Sequence, residues 1–204
     1  MKAAMPTQNP ARTAEYLNLV DQRRADLRLR FEGLLGKHTE FVWEIGCGHG
    51  HFLAAYAAEH REQLCLGIDI ARERIERGER KRKRAQLANL HFIHADAEDF
   101  LRALPPAARF SAIYILFPDP WPKRRHHKNR LMQPEFIAEL AKRAGQGTPL
   151  YFRTDYGPYF SAAKAVIEHD RAWQISDEAW PFETSTVFEQ RAASYRSLVA
   201  RRTD

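Results

Sequence analysis

Short apolar runs recur along the chain, with polar stretches of helical spacing between them. They are FVWEI at 41–45, LCLGID at 64–69, LHFIH at 90–94, FSAIYILF at 110–117 and PLYFRT at 149–154. Each is brief, rich in β-branched or aromatic residues, and followed by a segment whose apolar positions return with a helical period. That alternation predicts βα units laid side by side in a mostly parallel sheet, buried on both faces. Beyond 154 the spacing predicts a helix over 157–169, then AWQIS (172–176) and AASYRSLVAR (192–201) as closing strands. The expected fold is a three-layer α/β domain over 41–204, preceded by a basic, helical N-terminal extension over 1–40. Ligands of such a domain lie beyond the carboxyl ends of its strands.

Composition narrows this picture only a little. The chain has 204 residues, 44% of them apolar, enough for one well-buried core. No apolar run approaches the length of a membrane span, and the N-terminal stretch lacks the apolar segment of a secretory signal. Cys47 and Cys65 fall inside apparent core elements and imply no disulfide framework, which fits a reducing cytoplasm. A net charge of +6 suits an anionic partner and equally suits a solvated basic surface. Where the charge sits has to decide between them.

Chemistry enters at EIGCGHGHF (44–52), between the first strand and the next helix. Gly46, Gly48 and Gly50 alternate, giving a backbone that turns tightly and brings its amides close to a ligand. A dinucleotide fingerprint has a different glycine spacing and no acid in this place. Glu44 at the strand end repels a pyrophosphate and suits a ligand carrying an ammonium and a sulfonium, such as S-adenosylmethionine. Asp69, in GIDI, ends the second strand where an acid can accept from two ribose hydroxyls. Asp96, in HADAED, follows the third strand where an acid and the next amide can meet an adenine edge. The plain alternative is that such acids only cap the helices behind them. Cys47, His49 and His51 have no second Cys/His pair to complete a tetrahedral set, so no metal is expected.

The densest chemistry lies in ILFPDPWPKRRHHKNR (115–130). Asp119 ends the fourth strand between Pro118 and Pro120, which fix φ on both sides and remove two amide donors. Trp121 offers a face for a base or packs on the core. Lys123, Arg124, Arg125, Lys128 and Arg130 read as a phosphate-binding run. A cofactor loop, a rigid acid, an aromatic and cations together describe a methyltransferase acting on nucleic acid. Two further basic stretches, RRADLRLR (23–30) and RERIERGERKRKR (72–84), read as helices. In the second, Arg80 to Arg84 are five consecutive cations that can face phosphates.

The segment FPDPWPKRRHHKNRLMQPEF (117–136) resembles the signature of the tRNA (guanine-N7)-methyltransferase family. EIGCGHG, GIDI, HADAEDFL, RTDYGPYF and TSTVFEQR agree with it in order, so the resemblance covers about 41 to 191. It implies a Rossmann-like methyltransferase fold whose mostly parallel sheet carries an antiparallel C-terminal strand. It also implies a cytoplasmic enzyme, monomeric or homodimeric, with S-adenosylmethionine as cofactor and tRNA as partner. The reaction would methylate N7 of guanine 46 in the tRNA variable loop. Carried over by motif, Glu44, Gly46, Gly48, Gly50, Asp69, Asp96 and Asp119 would hold the cofactor, and Asp119 would be catalytic. Lys123, Asp155, Thr186, Val187, Phe188 and Glu189 would contact the substrate. Val187 stands where the family often has Lys or Arg. Another RNA or small-molecule acceptor, or a non-catalytic RNA-binding relative, are the competing readings.

Overall fold

The computed structural model describes residues 10–36, 39–183 and 194–203. In chain order its elements are α1 (Pro10–Leu35), β1 (Glu40–Ile45), α2 (His51–Glu59), β2 (Cys65–Asp69), α3 (Arg72–Arg84), β3 (Leu90–His94) and α4 (Ala97–Ala103). There follow β4 (Arg109–Leu116), a short 3-10 helix (Arg124–Asn129), α5 (Pro134–Ala141), β5 (Pro149–Thr154), α6 (Gly157–His169), β6 (Trp173–Ser176) and β7 (Arg196–Arg202). The strands form one sheet in the order β3-β2-β1-β4-β5-β7-β6. Neighbours from β3 to β5 are parallel, and β7 runs antiparallel to both β5 and β6. The mostly parallel α/β sheet is the one the apolar runs predict, and its Rossmann-like order with an antiparallel C-terminal strand is the one the family resemblance implies.

Period-two alternation divides the core into two layers. Phe41, Trp43 and Ile45 of β1 pack with α1, α4, α5 and α6, whereas Val42 packs with α2 and α3. On the first face the Trp43 ring lies stacked between Phe100, 4.6 Å away, and Phe110, 5.1 Å away. Helix α1 joins this layer by presenting Leu27, Phe31 and Leu35, four residues apart, to the same cluster. Phe31 meets Phe100 edge-on at 5.0 Å, and Arg24 pairs with Asp99 of α4 at 2.8 Å.

Strand β3 lies at the sheet edge, where unpaired backbone groups invite association. Here side chains occupy both backbone groups of Phe92, at the middle of the strand. Glu79 of α3 accepts from the Phe92 amide at 2.9 Å, and Arg30 of α1 donates to the Phe92 carbonyl at 2.9 Å. The order of the strands reverses between β1 and β4, whose registers pair Glu44 with Tyr114 and Ile45 with Ile115. Loops leaving two adjacent parallel strands in opposite directions open a crevice at their carboxyl ends.

Candidate active site at the carboxyl edge of the sheet

The chain leaves β1 through a loop that only glycine adopts without strain. Gly46, Gly48 and Gly50 all have positive φ, at 73°, 55° and 67°. The Cys47 amide bonds to the Ile68 carbonyl at 2.8 Å, and the Gly48 amide donates to Asp69 Oδ2 at 3.0 Å. Asp69 Oδ1 also accepts from the Ala71 amide at 2.8 Å, so this carboxylate ties the glycine loop to the start of α3. Arg74 approaches the same carboxylate at 3.4 Å. From the third turn of α3, Lys81 Nζ reaches the His49 carbonyl at 3.0 Å.

Glu44 stands behind this loop, only 3% exposed, and its Oε2 has no hydrogen-bond partner. Burial pushes its carboxyl up to about 8; the Leu53 amide pulls it down, the Asp69 charge adds to the rise and Lys81 opposes it. Lys81 is in turn lowered by burial and raised by Glu44 and Cys47. A buried polar atom without a partner is costly in a protein and is relieved by a ligand that brings one. The loop therefore fits a group whose ammonium would complete Glu44.

The other acids line the same edge. Asp96 follows β3 and caps α4, its Oδ1 accepting from the Glu98 amide at 2.8 Å. The capping reading is thus met at Asp96, which stays exposed. Asp119 follows β4, Asp155 follows β5, and both are exposed. Along the sheet the succession is Asp96, Asp69, Glu44, Asp119 and Asp155, one acid at the end of each of five neighbouring strands. Thr186, Val187, Phe188 and Glu189 lie outside the described residues. No group of three or more His, Cys, Asp or Glu able to hold a metal occurs among the described residues.

Asp119 is held in a constrained turn. The residues on either side of Pro118-Asp119-Pro120, Phe117 and Trp121, have φ of 49° and 43°, unusual for bulky side chains. The Phe117 amide bonds to the Arg153 carbonyl at 2.8 Å, and Arg130 Nε donates to the Pro120 carbonyl at 2.9 Å. Arg130 departs from the surface role its cation run suggests. It is 5% exposed, with its guanidinium carbon 4.9 Å from the Tyr159 ring centre. Burial pushes the Tyr159 phenol up to about 12, with Arg130 opposing the rise and the Asp119 charge adding to it. Lys123, Arg124, Arg125 and Lys128 are exposed as expected, and Trp121, half-buried, meets His126 edge-on at 5.7 Å.

A family model described as "Putative methyltransferase" matches residues 38–200. A tRNA (guanine-N(7)-)-methyltransferase of Nitrosococcus oceani is 34% identical over 165 residues, 80% of this chain and 70% of that one. One of Treponema pallidum is 37% identical over 152 residues, 74% of this chain and 61% of that one. The chain belongs to the tRNA (guanine-N7)-methyltransferase family. Solved methyltransferases share its fold at low identity. The aminoglycoside resistance methyltransferase NpmB1 superposes with a TM-score of 0.60 at 17% identity, covering 86% of this chain and 93% of that one. An rRNA methylase from Streptococcus thermophilus gives 0.55 at 12% identity, covering 81% and 89%.

Three residues of this methyltransferase escaped the sequence reading. Lys81 looks like its neighbours in a basic run, and only packing shows that it turns toward the glycine loop. Ile70, directly after Asp69, is 55% exposed, an apolar surface beside the loop; an apolar residue following a strand-end acid was the available signal. Arg153 on β5 is buried, with its guanidinium 4.0 Å from the Trp180 ring centre and 4.6 Å from that of Tyr195. It bonds to Glu183 and Ser197, residues on either side of segment 184–193.

Proposed function

We propose that this chain transfers a methyl group from S-adenosylmethionine to N7 of guanine, at position 46 of the tRNA variable loop, in the cytoplasm. The observation that carries the reading is the row of five acids on five adjacent strand ends, all inside the span matched by the family. Glu44 would hold the donor's ammonium, Asp69 its ribose, and Asp96 with the following amide its adenine, Ile70 giving the apolar wall. The donor supplies a methyl group already activated by its sulfonium.

Guanine N7 has a free lone pair and no proton, so these residues need not generate a nucleophile. Their task is to place the base in line with the methyl group, the kind of positioning that accounts for much of such an acceleration. As the methyl moves, positive charge grows on the purine. Asp119, fixed between two prolines, lies ready to stabilise it without moving. Asp155, on the next strand, can accept from guanine N1–H and N2–H, which adenine lacks. Lys123 and the exposed cations behind it face the phosphates.

Digestion and mass spectrometry of tRNA incubated with labelled S-adenosylmethionine should reveal 7-methylguanosine at the variable loop. Label in another base, or none, would defeat the reading. Asp119→Asn keeps shape and hydrogen-bond reach but removes the charge. Single-turnover transfer with both substrates saturating should slow about 10²–10³-fold. A wild-type rate in that variant would make Asp119 a loop-structure residue only.

A further inference from the structure

The five consecutive cations that end α3 do not act alike. Lys81 turns inward to the His49 carbonyl, and Arg82 pairs with Glu79 at 2.9 Å. Arg80, Lys83 and Arg84 remain exposed and make no ion pair among the described residues. Arg72, at the opposite end of the helix, is likewise exposed and unpaired there. At about 100° per residue these four side chains fall within about 120° of the helix circumference. Arg72, Arg80 and Lys83 line a cleft of about 370 Å³ between α3, β3 and Arg30 of α1, and Arg84 continues the stripe beyond it. Two of its other charges are already engaged: Arg30 caps the Phe92 carbonyl, and Glu79 the Phe92 amide and Arg82. Against the free cations of the cleft stands Glu76.

We infer that this face of α3 is a second tRNA contact, gripping backbone phosphates away from the guanine that is methylated. The inference rests on the proposed function. A stripe of four cations that make no ion pair among the described residues, with Glu76 as the acid facing them in the cleft, keeps a net positive charge and suits a polyanion whose charges repeat along a line. Its position suits the same molecule that enters the Asp119 loop. Arg72 begins α3 just beyond Asp69, two strand spacings from β4, about 10 Å. The stripe then runs about 18 Å down the helix at 1.5 Å per residue. The whole path from loop to Arg84 is about 30 Å, within the reach of proteins that span about 16 base pairs of RNA. The competing role of these cations is to complement the helix dipole at its C-terminal end.

The test is a triple variant, R80Q/K83Q/R84Q, which keeps helix-forming side chains and removes three charges. Titrations with intact tRNA at several salt concentrations should show binding weakened about tenfold or more. The log–log salt slope should become shallower by about 2 to 3, because each lost phosphate contact removes about 0.7–0.9. Cofactor affinity and the rate at saturating tRNA should stay at wild-type values. R80K/R84K, which keeps the charge, should bind tRNA as the wild type does. An unchanged slope and affinity would overturn the inference, and a lower melting temperature alongside would assign the cations to the helix dipole alone. A wild-type chain that leaves tRNA unmethylated defeats the proposed function and this surface together. An unchanged slope in an active enzyme removes the surface alone.

Discussion

The Phe92 ring, fully buried, is boxed in by glycines from three elements. A Cβ on Gly50 would stand 2.2 Å from its Cζ, one on Gly67 2.9 Å from its Cδ1, and one on Gly78 3.0 Å from its Cδ2. This explains a glycine in the middle of α3, where it costs about 1 kcal/mol relative to alanine: the ring needs the space. It also couples the glycine loop after β1 to the edge strand, since a side chain at Gly50 needs Phe92 to move. Gly50→Ala adds the penalty of a side chain at φ 67° to that clash. We expect it to destabilise the chain by about 3 kcal/mol in urea unfolding. Phe92→Leu in the same chain should recover part of that loss, the clash but not the backbone strain. A cost below about 1 kcal/mol for Gly50→Ala alone would show that the ring yields.

At the scale of elements, the turn after β4 shows how strain is maintained. Two bulky residues at positive φ cost on the order of 1–3 kcal/mol each and persist only where the surroundings hold them. The prolines cannot help, since they offer no amide, so the Arg153 carbonyl and the Arg130 guanidinium are the fasteners. Arg130→Met should slow transfer about tenfold or more at saturating substrates, with cofactor affinity kept. If Arg130 acts by positioning Asp119, then R130M on top of D119N should slow transfer little further. Additive losses would mean that it acts elsewhere. The strands and this turn were legible in the sequence because their signals are local: alternation, aromatic runs, and Pro and Gly at the boundaries. FSAIYILF and PLYFRT announced β4 and β5, and the spacing over 157–169 announced α6, to within a residue or two. The inward turn of Arg130 and Lys81 was not legible. Each sits among cations of the same kind, and only the Tyr159 ring and the His49 carbonyl, supplied by distant parts of the chain, single them out.

For the whole molecule, buried Glu44 in the proposed cofactor site is a source of instability that a ligand bringing an ammonium would relieve. Glu44 titrates near 8 when folded, against an ordinary value of 4.5, so between those limits the folded chain holds a proton that the unfolded chain has released. Its contribution to stability is therefore full below about pH 4.5 and is lost as pH rises through about 8. Glu44→Gln imitates the neutral carboxyl. The ligand-free variant should melt with the wild type near pH 5 and above it at pH 8. Binding reverses the preference, because an ammonium favours the carboxylate. S-adenosylmethionine should then expel close to one proton per site at pH 7, and its affinity should rise between pH 6 and 7.5, below the range where its own amine deprotonates. Calorimetric titrations in two buffers of unlike ionisation enthalpy measure that proton, and thermal melts across pH 5 to 8 measure the stability. The transfer step itself, with both substrates saturating, should show no matching pH limb, since N7 has no proton to lose. Proton release that persists undiminished in Glu44→Gln would assign the titration to another group. Release absent from the wild type would mean that Glu44 is already ionised before the cofactor arrives.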